Sequence, residues 1–229
     1  MIITKLKDID EIYNMIEPYS KILIVGCDGC CQPPRSLNEA KTLGQMLELK
    51  AKMNGKDLKY KAITCLRQCD DRIAGSTIKP HIEDYEAILS LACGIGPATL
   101  NRIFDDILTF PAQNSMFNGA ESHGDNRYEE YCDCCGDCLL GVTGGICPVA
   151  TCAKGLHNGP CGGQVEGKCE VGGYKYPCAW ILIYERLKKF NRLDLFTKYR
   201  PPIDYRNMES PGHLTLLEEY TNEEEEVEE

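Results

Sequence analysis

Residues 21–31 read KILIVGCDGCC. Lys21 opens a short, branched, apolar run without polar alternation, as in a strand buried on both faces, and the run stops at Gly26 and Cys27. Upstream, Asp8 and Glu11 have capping-box spacing ahead of a helical stripe of Ile9, Ile12, Tyr13 and Ile16 that Pro18 ends. Downstream, Ser36 and Glu39 repeat that spacing before Ala40, Leu43, Leu47 and Ala51, and Asn54-Gly55 closes the second helix. Residues 58–64 read as a strand ending at Cys65. After a polar turn and a helical turn at Pro80, residues 87–92 (AILSLA) read as another buried strand, ending at Cys93. Gly96 is expected to cap a helix with Pro97 at its first position and Leu100, Ile103, Phe104, Ile107 and Leu108 on one face. This alternation predicts an α/β fold with a small parallel, Rossmann-like sheet and right-handed crossovers.

Each of the three expected strands delivers cysteines at its carboxyl end: Cys27, Cys30 and Cys31, then Cys65 and Cys69, then Cys93. In an open parallel sheet those ends share one edge, where ligands of such folds bind. A free cysteine is often just a small buried hydrophobe. The stretches around residues 27–31 and 65–69 are polar, however, which favours ligation for the group. Four thiolates suffice for one cluster, so Cys31 and Cys65 are the expected spares.

From Pro111 to Arg127 the chain turns polar and aperiodic. The expected organisation is therefore an α/β cluster-binding domain at 1–112, a linker at 113–127, a cysteine-rich domain at 128–205, and an extension with an acidic tail at 206–229. The cysteine-rich part is short of apolar side chains before the helix of residues 178–190, whose face carries Trp180, Ile183, Tyr184, Leu187 and Phe190. A metal centre is expected to organise it. Its glycines, at 144–145, 159, 162–163 and 172–173, serve tight turns or the close approach of backbone amides to sulfur; both readings stay open.

Composition narrows the function. Fifteen of 229 residues are cysteine. No run of about eighteen apolar residues offers a membrane span, and the opening lacks the order of a signal peptide, so a cytoplasmic protein is expected. In that setting metal ligation outranks a disulfide framework. The formal charge is -10, but the eight glutamates between 218 and 229 leave only -2 on the rest. With no basic stripe, nucleic acid is not an expected partner. Neither a G-x-G-x-x-G after a strand nor a P-loop is present. His81, His123, His157 and His213 are scattered and read as surface or turn residues, and Asp70-Asp71 as a solvated turn. No acid–base pair marks an active site of the chain's own.

Cys132, Cys135 and Cys138 are spaced C-x2-C-x2-C, as in ferredoxins, where three corners of a cubane share one loop and a remote cysteine takes the fourth. Zinc ribbons instead use two separated C-x2-C knuckles. Remote candidates are Cys147, before Pro148, and Cys178, after Pro177. Cys132, Cys135, Cys138, Cys147, Cys152, Cys161, Cys169 and Cys178 could complete two four-ligand sites with Cys134 spare, or one site with the others structural.

The blocks CDCCGDC (132–138), GGICP (144–148), CAKGL (152–156), NGPCGG (158–163), GKCE (167–170) and CAWILIYERL (178–187) resemble the C-terminal module of the small subunit of two-subunit methylenetetrahydrofolate reductases, a module often labelled zinc-finger-like. GCDGC, RQCD and LACGIG resemble the same subunit. The resemblance implies N-terminal ligands Cys27, Cys30, Cys69 and Cys93 for one 4Fe-4S cluster, at least one further cluster in the C-terminal domain, and zinc or iron–sulfur there. It also implies a flavin-bearing catalytic partner that binds the folate, while the small subunit passes electrons to it, with ferredoxin or another protein as donor. The leading expectation is thus a non-catalytic electron-transfer subunit. The alternatives are a structural zinc module that assembles the same kind of complex and, with little support because no C-x-x-C has a thioredoxin-like context, a thiol redox enzyme using Cys30-Cys31 or Cys65 and Cys69.

Overall fold

The computed structural model describes residues 1–122, 127–208 and 211–212. His123, His213 and the glutamate tail lie outside the described residues, as do residues 123–126 of the segment read as a linker. The chain divides into residues 1–130 and 131–229.

In order, the first unit comprises β1 (Ile2–Leu6), α1 (Ile9–Ile16), β2 (Lys21–Cys27), β3 (Cys31–Gln32), α2 (Leu37–Met53), β4 (Lys59–Cys65), α3 (Asp71–Ile78), β5 (Ala87–Ser90), α4 (Ile95–Ile103), β6 (Leu108–Pro111) and β7 (Gln113–Ser122), with β8 (Arg127–Cys132) following. The main sheet has the order β4-β2-β5-β6, and every pairing in it is parallel. Its central strand shows why the apolar run at 22–25 was needed. Ile22 and Ile24 pack with residues of α1 and α2, whereas Leu23 and Val25 pack with Ala74 and Ile78 of α3 and Leu100 of α4. Alternate side chains leave opposite faces of a strand, so a strand covered by helices on both sides has no polar position. Burying each such side chain contributes about 1.5–3 kcal/mol.

A second sheet, of order β3-β1-β7-β8, lies outside the sequence expectation. Ile2 pairs with Cys31 in the parallel β1–β3 contact, and Ile3 with Phe117 in the antiparallel β1–β7 contact. The stretch 113–127 read as a linker therefore carries β7 and belongs to the first unit. The misreading has a physical cause: Asn114, Ser115 and Met116 are exposed, so β7 is held by main-chain pairing to β1 and carries no apolar period. β6 was likewise unforeseen. Leu108, expected on the helix ending near it, begins that edge strand and is 59% exposed.

Helix ends differ in detail. Asp8 caps α1 by accepting from the Asp10 N–H at 2.8 Å, while Glu11 pairs with Lys7. Ser36 precedes α2 but its side chain makes no capping bond. α4 starts at Ile95 with Gly94 as its cap. Asp70-Asp71 is no turn: the Asp70 carboxylate accepts from the Arg72 and Ile73 N–H groups and starts α3, and Asp71 pairs with Arg102.

The second unit holds α5 (Pro148–Thr151), α6 (Ala179–Lys189) and α7 (Leu193–Thr197), with isolated bridges at Val165–Lys168 and Lys168–Pro177. Its core gathers Cys178, Trp180, Ile183 and Leu187, with Ile146, Cys152, Leu156 and Phe196 against them. Phe190, expected on that face, is exposed. Trp180 donates to the Leu156 carbonyl at 2.8 Å and meets the Phe196 ring edge-on, and the Arg200 guanidinium lies 5.2 Å from its ring centre. Arg200 itself is buried, donating to the carbonyls of Val142, His157 and Leu195. Among the described residues no helix is long and apolar enough to cross a membrane.

Candidate functional site

The order β4-β2-β5 means the chain leaves β2 to one side and returns on the other. The β2–β5 boundary is thus a topological switch point, and the crevice beyond its carboxyl edge is where such sheets bind ligands. A cavity of about 640 Å³ occupies that edge, and Cys27, Cys30, Cys31, Cys69 and Cys93 line it. Three separate segments supply them, following β2, β4 and β5.

Local chemistry explains the convergence. At Gly26 a Cβ would stand 2.7 Å from the carbonyl oxygens of Arg35 and Ser36, so only glycine lets β2 run this close to the returning chain. The Cys27 N–H then donates to the Arg35 carbonyl at 2.8 Å, and the Asp28 N–H to the Cys65 carbonyl at 3.0 Å. Across the cavity, a Cβ on Gly96 would meet Ala92 at 2.4 Å, which keeps the loop after Cys93 tight.

The sulfurs are not equivalent. Cys30 and Cys69 are exposed; Cys27, Cys31 and Cys93 are buried. Cys31, expected to be spare, is central: it is 2% exposed, and its sulfur accepts the Cys93 N–H at 3.1 Å. The Cys31 thiol, with one hydrogen to donate, stands between Cys27 and Cys93, and hydrogen bonding from it pulls the thiol it serves below the ordinary range despite the burial that opposes ionisation. Hydrogen bonding with Cys27 and Cys93, together with burial, holds the Cys31 thiol well above the ordinary thiol range. Burial raises Cys69. Cys65 does face away. Although β2 and β4 place it in register with Cys27, its side chain packs with Leu23, Val25, Ala74 and Ile88, where burial raises its thiol too. That Cys31 lies between Cys27 and Cys93 was not legible in the sequence, because the β1–β3 pairing that turns it inward has no apolar signature.

The donor set is soft, a chemistry that suits iron–sulfur or another thiophilic centre. Among the described residues no three Cys, His, Asp or Glu side chains are grouped as ligands of a single ion.

The second unit presents a different picture. Cys132, Cys134, Cys138 and Cys161 are exposed, Cys147, Cys152 and Cys169 half-buried, and Cys135 and Cys178 buried. Cys134, at φ 53°, donates its N–H to the Cys132 sulfur at 3.4 Å, a knuckle at the start of the triplet. Cys152 packs with Cys178 in the core. Cys169 and Cys178 are held by main-chain bonds within one loop, the Cys169 N–H to Tyr176 and the Cys178 N–H to Gly167. Positive φ at Gly172 (81°) and Gly173 (67°) makes the turn between them. Cys161 accepts the Gly163 N–H at 3.4 Å and lies 3.6 Å from both Lys154 Nζ and Glu170 Oε1, which pair with each other. Of the histidines, His81 sits 3.1 Å from Lys61 Nζ, and His157 gives its carbonyl to Arg200.

Residues 110–206 match the family described as methylene-tetrahydrofolate reductase C terminal. No curated protein matches the chain. Among solved structures, an extracellular ligand-binding receptor from Verminephrobacter eiseniae matches at 14% identity with a TM-score of 0.35, over 45% of this chain and 28% of its own. The chain spans about a quarter of that receptor's length, and a likeness this low carries no argument.

Proposed function

We propose that this chain is the electron-transfer subunit of a methylenetetrahydrofolate reductase complex. One 4Fe-4S cluster is held in the N-terminal unit by Cys27, Cys30, Cys69 and Cys93, and at least one further centre, iron–sulfur or zinc, in the C-terminal unit by ligands drawn from Cys132, Cys135, Cys138, Cys147, Cys152, Cys161, Cys169 and Cys178. The observation that carries the reading is the thiol-lined cavity at the carboxyl edge of the parallel sheet. The match of residues 110–206 supports the link to the reductase.

When bound, such a cluster takes up and releases one electron. The chain's residues would do the rest. Cys27 and Cys93 would supply thiolates from the buried side, and Cys30 and Cys69 from the exposed side. Ala92 and Gly96 line the cavity beside Cys93. The exposed side would face the redox partners: a donor protein such as ferredoxin and a catalytic subunit whose flavin reduces the methylene group on the folate to methyl.

The test is anaerobic purification of the full chain, alone and with a flavin-bearing reductase subunit. Iron with equimolar acid-labile sulfide, a paramagnetic signal on reduction, and reduction of the partner's flavin by the reduced chain are expected. A colourless, zinc-only chain that still binds the partner would replace this reading with that of a structural assembly module. Reduction of methylenetetrahydrofolate by the isolated chain with an artificial donor would overturn the division of labour.

A further inference from the structure

Between Cys65 and Asp71 the chain forms neither helix nor strand, and a turn bond from the Asp70 N–H to the Arg67 carbonyl at 3.4 Å spans Gln68 and the exposed Cys69. Its neighbour Gln68 is the anchor. Gln68 is 0% exposed, and its carboxamide donates to the Val25 carbonyl at 2.9 Å and the Gly26 carbonyl at 2.8 Å. Its oxygen accepts the Ser90 hydroxyl at 2.6 Å, and the Ser90 oxygen in turn accepts the Ala92 N–H at 3.2 Å. Val25 and Ser90 are register partners where β2 and β5 part company. One side chain therefore joins the segment carrying Cys69 to the residues just before Cys27 and just before Cys93. Gly96 leaves room for it: a Cβ there would approach both the Gln68 Cβ and Oε1 at 3.2 Å.

We propose that Gln68 is a positioning residue for the N-terminal cluster, setting the mutual placement of Cys27, Cys69 and Cys93 through its three hydrogen bonds at the β2–β5 switch point. The inference rests on the cluster reading above. In a buried site water does not compete for these bonds, so the amide acts as a rigid strut. An apolar residue of the same length would fill the space without fixing the angle between the loops. Losing such an outer hydrogen-bonding partner typically weakens metal affinity on the order of 10–100-fold.

The test uses the anaerobically purified full chain and three variants: Gln68→Met, with similar length and no hydrogen bonds; Gln68→Glu, which keeps the acceptor and, when protonated, one donor; and Leu47→Ala, a core truncation in the same unit away from the cavity. Cys93→Ala defines the iron belonging to the N-terminal cluster. In Gln68→Met the chelator concentration that strips half of that iron should fall about 10-fold or more, with a broadened paramagnetic signal. Gln68→Glu should recover part of both, and Leu47→Ala should keep the wild-type signal while melting lower. If Gln68→Met does not fold, Ser90→Ala, which removes only the hydroxyl partner, carries the same measurement with a smaller shift. Wild-type iron retention and an unchanged signal in Gln68→Met (or, where that does not fold, in Ser90→Ala), or equal iron loss in Leu47→Ala, overturns the role of Gln68 alone. Iron untouched by Cys93→Ala overturns the cluster reading, and this role with it.

Discussion

The two units treat their cysteines in opposite ways. In residues 1–130 the sheet core of Ile22, Leu23, Ile24, Val25, Ile88 and Leu89 is fully buried, Cys65 packs within it, and the five cavity-lining thiols sit beyond its edge. Among the described residues of 131–229 a single small core surrounds Trp180, and two of its members or close neighbours, Cys178 and Cys152, are themselves candidate ligands. The cluster site proposed for the first unit would be placed by the fold. In the centre proposed for the second, binding free energy and folding free energy would be the same quantity.

That contrast breaks most visibly on metal removal. Stripping metal under anaerobic conditions should unfold residues 131–178 and leave the first unit protected, since structural metal sites contribute apparent binding energies of about 10–16 kcal/mol in small domains. Limited proteolysis followed by mass spectrometry reads this directly, and equal resistance in both units would remove the distinction. Trp180→Ala should cost about 3–5 kcal/mol, confined to the second unit. It deletes the centre of that core together with the Leu156 hydrogen bond and the ring face under Arg200. Denaturant unfolding with separate probes in each unit checks it; a coincident loss of the first unit would show that the two are not independent.

Smaller effects sharpen the first unit. Cys65→Ala should cost only about 1 kcal/mol, the loss of a small buried apolar group, and keep the full iron content. A cluster lost with Cys65 would move that residue from the core to the ligand set. Smallest is Cys31→Ala. Iron should be retained while the paramagnetic spectrum shifts, because this thiol touches the sulfurs of both Cys27 and Cys93 without being one of the four proposed ligands. An iron-free Cys31→Ala with a fully loaded Cys30→Ala would exchange the two residues in the assignment.

Much of the first unit was readable because burial on two faces leaves a strong mark. The KILIV run, the α2 stripe and its Asn54-Gly55 end could have been little else. β1 and β7 left no such mark, since one is five residues long and the other is polar. Asp70 as a helix cap was also missed; a carboxylate in a polar stretch looks the same whether it meets water or the first amides of a helix.

The sequence by itself determined the parallel sheet, the order in which its strands present cysteines, and the triplet at 132–138, because each rests on side-chain periodicity or spacing along the chain. Tertiary structure alone decided which thiols share the cavity. Cys31 and Cys65 are both cysteines at strand ends, yet pairing of β3 with β1 turns one into the sulfur cluster, while the packing of α3 buries the other among aliphatic side chains. Gln68 shows the same thing in polar form. Its three partners lie 22 to 43 residues away in the chain, and only the approach of β2 to β5 brings them within reach of one amide.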